Sequence, residues 1–119
     1  MKTNALSVAN YFVELANKEG KPIHLLGLIK RVYIAHGFAL ALLRRGLLDR
    51  RFDKVEAWKY GPVIPSVYHS FKQYKRGNID AYTTMLHQDE EGNYSFLTPK
   101  VENEKRTLIA KLKNFIVNI

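Results

Sequence analysis

The sequence predicts a mainly helical α+β domain, with about four main helices and a small antiparallel β-sheet or hairpin packed on one side. Three observations lead there. Four stretches carry apolar residues three and four apart, the spacing that gathers side chains on one helix face. Three short runs alternate apolar with polar residues, as a strand with one buried face does. The 119 residues, 46% of them apolar, suffice for one modest core and so for one domain over residues 1–119. No internal repeat, low-complexity tract or long linker divides them.

Ser7 is placed to cap a first helix carrying Val8, Tyr11, Phe12 and Leu15. Gly20 stops it and Pro22 prevents easy resumption. A second helix reads from about His24 to Arg45, with Leu25, Leu28, Ile29 and Val32 on its first apolar face. Gly37 lies inside it at a cost of about 1 kcal/mol relative to Ala, which points to a close crossing or a bend. The sequence FALALL that follows is apolar nearly all round, the mark of a central and mostly buried helix. Gly46 is the expected stop. The connector Leu47 to Lys54 is short and basic, with one leucine and Phe52 expected to be buried.

The stretch Val55 to Tyr74 contains the single tryptophan. Val55-Glu56-Ala57-Trp58 alternates like a short strand, with Trp58 expected in the core as a central packing residue beside the turn that follows. Tyr60-Gly61-Pro62 reads as that turn: Gly61 can take positive φ, and Pro62 biases it away from the helical region. Pro65 suits the first turn of a helix, and Ile64, Val67, Tyr68 and Phe71 share one face of it. Gly77-Asn78 ends that helix. A hairpin is expected from Tyr82, Thr84 and Leu86 on one side and Tyr94 to Leu97 on the other, across the acidic loop HQDEEGN; a short helix over Ile79–Leu86 is the alternative. The hairpin is expected to add to the Val55–Trp58 strand, since an isolated pair is marginal in water. Thr98 and Pro99 read as the cap and first residue of a last helix, with Val101, Leu108, Ile109, Leu112 and Ile116 on its buried face.

Composition excludes several chemistries. Cysteine is absent, which removes disulfides, thiol catalysis and cysteine-bound zinc, and fits a reducing cytoplasm. No apolar signal core follows Lys2. The most apolar run, Phe38 to Leu43, is too short to span a bilayer. The expectation is a cytoplasmic protein with no membrane contact. His24, His36, His69 and His87 show no short ligand spacing, so neither a metal nor another cofactor is indicated. No nucleophile elbow or phosphate-cradling glycine loop is present. The chain is expected to be no enzyme, a reading that a pocket gathering Lys30, His36 and His69 would reverse.

The net charge of +8 permits an anionic partner or an untargeted basic surface. Arg44, Arg45, Arg50 and Arg51 crowd the connector before Trp58. Lys72, Lys75 and Arg76 extend along or past the helix of Tyr68 and Phe71. Cations interleaved with aromatics can neutralise phosphates and stack bases, and helices with a hairpin wing can resemble a winged helix-turn-helix. The same residue types are hot spots of protein interfaces. Lys30, among apolar neighbours, and Glu56 could pair and hold the second helix to the strand; two solvent-facing charges are the alternative.

The stretch EAWKYGPVIPSVYHSFKQY resembles the signature of the Panacea domain family, also described as phage-associated or SocA-type antitoxin domains. The similarity continues upstream through LLGLIKRVYIAHGFAL, Leu25 to Leu40, which resembles the family's Lys-hydrophobic-Tyr helix, and more weakly over Ser7 to Leu15. The resemblance implies a bacterial or prophage protein-interaction module that neutralises a cognate toxin by binding. It marks Lys30, Tyr33, Glu56, Trp58, Tyr60, Gly61, Pro62 and Tyr68 as motif or partner-binding residues. A basic winged-helix-like nucleic-acid-binding domain is the alternative. The family pattern continues past the last helix into a segment with a Thr-His pair and a Trp. Ending at Ile119 without them, the chain reads as a shortened member or a fragment.

Overall fold

The computed structural model describes residues 2–51 and 53–117, with side chains described as far as 112. Its elements in order are α1 (Ala5–Glu19), α2 (Leu25–Leu43), β1 (Glu56–Trp58), β2 (Gly61–Val63), α3 (Pro65–Phe71), β3 (Met85–Gln88), β4 (Tyr94–Leu97) and α4 (Asn103–Val117), with a 3-10 turn at Lys72–Tyr74. The mainly helical α+β class is observed. The two β-hairpins are separate: β1 pairs only with β2, and β3 only with β4, both antiparallel.

One apolar cluster joins the helices. It takes Val8, Phe12 and Val13 from α1, Leu28, Val32 and Ala35 from α2, Ile64, Val67 and Phe71 at α3, and Leu47, Ile79, Val101 and Ile109 from the remainder. The all-round buried stretch is in α1, not α2: every residue from Ala5 to Val13 is buried. Polar residues on it are satisfied internally. Asn4 is the N-cap, and Ser7 completes a capping box with it rather than being the cap itself. Asn10 grips the Thr83 backbone with both ends of its amide, accepting from Thr83 N–H at 2.8 Å and donating to Thr83 C=O at 3.0 Å. That grip fixes the second hairpin beside α1, which is why it does not extend the first one into a single sheet.

Several boundaries differ from the sequence reading. In α2 the expected burial of Phe38 to Leu43 is not found: Ala39 is buried, but Leu40, Leu42 and Leu43 are exposed. By length and composition α2 could cross a membrane, but here α1, α3, α4 and β2 pack upon it. Arg44, not Gly46, takes the left-handed conformation that ends α2, with φ 57°. Gly46 instead lies so close to the His36 ring that no side chain would fit. Gly61 and Pro62 belong to β2, and the turn is Lys59-Tyr60. Gly61 does take positive φ, 114°. α3 gives way at Lys72 to the 3-10 turn, well before Gly77. β3 begins at Met85, later than Tyr82, and the short-helix alternative is absent there.

Thr98 and Pro99 do not start α4. Residues 98–102 are held out of the helix by cross-links to α1 and the residues before it: Asn10 donates to the Pro99 carbonyl at 3.2 Å, and the Thr3 N–H donates to the Glu102 carboxylate at 3.0 Å. The Glu102 carbonyl then receives the first helical N–H groups, from Lys105 and Arg106. The Thr3 N–H and the Lys105 ammonium hold the Glu102 carboxyl at about 2, far below its ordinary value. Phe52 and the side chain of Ile116 lie outside the described residues.

The connector between α2 and β1 is organised by Asp53, 6% exposed. Its carboxylate accepts from the Ala5 N–H, the Asp49 N–H and the Ser66 hydroxyl, each at 2.8 Å. The His36 Nδ1 accepts from the Leu47 N–H at 2.9 Å. Burial lowers the pKa of His36, and nearby Asp53 opposes the shift.

Asp53→Ala strands three donors and is expected to destabilise the domain by about 3 kcal/mol in urea unfolding, with Ser66→Ala costing less. His36 binds its proton more weakly folded than unfolded, so its contribution to stability is complete above about pH 6.5 and is lost as pH falls through the lowered value. Stability should therefore decline in wild type as pH falls below about 6.5. The decline should be shallower in His36→Gln, measured as the difference between the two unfolding curves.

Candidate partner-binding groove

Three elements enclose a groove of about 390 Å³. α2 contributes Leu26, Ile29, Lys30 and Tyr33; the first hairpin contributes Trp58, Tyr60, Pro62 and Val63; α3 contributes Tyr68. On α2 the i, i+4, i+7 spacing of Leu26, Lys30 and Tyr33 aligns them on one face. Across from them, the hairpin turns at Lys59-Tyr60, both with ordinary negative φ, so Gly61 supplies the positive φ that closes it. Pro62 sits in a two-stranded ribbon, where its missing N–H leaves no central ladder broken. Pro65 then opens α3 and carries Tyr68 behind the indole.

Trp58 is 39% exposed and all of β1 faces solvent, so the expectation that Trp58 belongs to the core is not met. A three-residue strand in a two-stranded hairpin has no second layer over its outer side. The indole stands edge-on to Tyr68 with ring centroids 5.0 Å apart, and its N–H donates to Glu56 at 3.0 Å. Glu56 thus orients Trp58. Of the two readings of Lys30 and Glu56, the structure has the solvent-facing one: both are exposed, they do not pair, and Lys30 has no ion-pair partner among the described residues. Tyr60 is 78% exposed at the rim, with the Lys59 ammonium 5.6 Å from its ring centre.

Six of the eight motif residues therefore line one groove, and Glu56 and Gly61 support its wall. Leu26, Ile29 and Val63 complete it; Leu26 was legible only as the residue one turn before Lys30. Lys30, His36 and His69 do not converge. His36 is turned to the connector backbone, and His69 is exposed beside the Tyr68 ring, centroids 5.3 Å apart. Among the described residues no three His, Asp or Glu side chains gather as a metal site would need. The groove's walls can desolvate an apolar side chain, and its one ammonium can meet a carboxylate.

A smaller cavity of about 210 Å³ lies between α1 and residues 98–101. Its polar groups already serve the fold: Arg106 pairs with Glu14 at 3.0 Å and lies over the Tyr11 ring. The cations weighed for nucleic acid are all exposed. Arg44, Arg45, Arg50 and Arg51 lie in the connector after α2, with Arg51 bound to Asp49 at 3.1 Å. Lys72, Lys75 and Arg76 lie in the turn after α3. None of the seven is on an α-helix that could place them in a DNA groove.

The chain was compared with known proteins. No solved structure matches it. Antitoxin SocA of Caulobacter vibrioides (strain NA1000 / CB15N) is 43% identical over 68 residues, a match covering 57% of this chain and 35% of that protein. The chain thus matches about a third of the length of that curated relative. A family model, described as antitoxin SocA-like, Panacea domain, matches residues 28–118. That match takes in most of α2, both hairpins, α3 and α4, and the chain belongs to the SocA-like antitoxin family with its Panacea domain.

Proposed function

We propose that this chain is a protein-interaction module that neutralises a cognate toxin by binding it, without catalysis of its own, and that the groove between α2, the first hairpin and α3 is the contact surface. The observation that carries this reading is the gathering of Lys30, Tyr33, Trp58, Tyr60, Pro62 and Tyr68 around one exposed cavity. Aromatic side chains that remain exposed in a folded domain supply large, low-entropy contact area to a partner. The short turn holds them in place beforehand, which lowers the ordering cost of association. Membership of an antitoxin family supplies the class of partner.

The test is co-expression with the product of a neighbouring gene that is toxic when expressed alone, scoring growth and co-purification. Rescue and a stable complex are expected. Tyr60→Ala should abolish both while changing unfolding free energy by less than about 0.5 kcal/mol, because an exposed rim residue contributes little to the fold. A harmless neighbour, or no complex with well-folded protein, would reject the assignment. Duplex binding across a salt series would then be the next measurement.

A further inference from the structure

The groove is one end of a longer feature. Leu26, Lys30, Tyr33, Gly37 and Leu40 follow one another on α2 at spacings of four, three, four and three, and all are exposed. This is the seam spacing of two helices packed side by side. It runs about 21 Å along the helix, on the side opposite buried Leu28, Val32, Ala35 and Ala39. Gly37 stands in its middle. A Cβ there would meet nothing within 4 Å, and α2 runs through without interruption. Neither a crossing nor a bend inside this domain accounts for a helix-interior glycine, which weakens the helix relative to alanine. A bare backbone position on an exposed apolar seam is what close approach of another chain requires.

Resting on the antitoxin reading for who the partner is, the geometry points to the partner's docking element: an amphipathic helix, laid along α2 with closest approach at Gly37, its apolar stripe flanked by carboxylates. Charge selects this occupant. Lys30 lies on the seam, exposed Arg44 stands just past its C-terminal end as the left-handed cap of α2, and neither has an ion-pair partner among the described residues. A second copy of this chain fits badly. An antiparallel crossing at Gly37 would oppose Lys30 with Arg44, and a parallel one would oppose Lys30 with Lys30. Like charges placed so are repelled.

The probe is a displayed library of helical peptides of about 21 residues, apolar at a and d and randomised among Glu, Gln and Lys at e and g. Selection on the full chain should enrich Glu-flanked helices. Gly37→Leu should raise the melting temperature by a few degrees, since Leu is the better helix former and the space is open, yet weaken the enriched peptides at least tenfold. Lys30→Glu should weaken them likewise and be rescued by Glu→Lys peptides. Enrichment of no helical binder, binders indifferent to Gly37→Leu, or a Gly37-dependent homodimer would each overturn the proposal. Rescue of growth lost on Tyr60→Ala but kept on Gly37→Leu would discard the helix while leaving the antitoxin reading intact.

Discussion

A single buried carboxylate is the constraint on which the arrangement depends. Asp53 binds the first turn of α1, the connector after α2 and the first turn of α3 at once. These segments are far apart in sequence, and their N–H and hydroxyl groups would otherwise face a dry interior. With the three tied together, the chain leaving Asp53 must turn outward immediately. It does so as the first hairpin, which returns at Ile64 into the core. The groove therefore exists because the hairpin is anchored at both ends and rests on α2 through β2, leaving β1 open to solvent.

What could be read in the sequence was what local chemistry decides. Pro65 with Ile64, Val67 and Phe71 defined α3, because a starting residue and a buried face lie within seven positions. Gly20 ended α1 for the same kind of reason, and the alternation of Tyr94 to Leu97 marked β4. The misreadings came where tertiary contacts compete with local signals. Thr98-Pro99 has the form of a helix start, but Asn10 and Thr3 hold that segment out of the helix. The leucines after Gly37 are apolar all round, and no periodicity says which side of such a helix the fold covers.

Polar residues hid the most. Asn4, Ser7 and Asn10 look like surface positions in a sequence, so α1 read as half-buried when its first half is enclosed. Asp53 had no signal beyond being acidic in a basic stretch. The groove, by contrast, was legible as a set of residues before it was legible as a place. Resemblance marked Lys30, Tyr33 and the Trp58–Tyr68 segment, but only the crossing of α2 past the hairpin brings them together. The charge reading was too coarse: the cations lie in loops, and the one that borders the groove is a lone lysine on a helix.

The chain has one tryptophan, and it stands in the wall of the groove rather than in the core. Its indole is held by Glu56 and Tyr68 and is 39% exposed to water. Intrinsic emission from this protein is therefore a local gauge of the recognition surface. Acrylamide quenching reports whether the groove is covered, and no label is needed. The same placement separates two kinds of melting curve. Circular dichroism follows the helices around Asp53, while fluorescence follows the hairpin, so any gap between the two would measure how independently the binding wall opens.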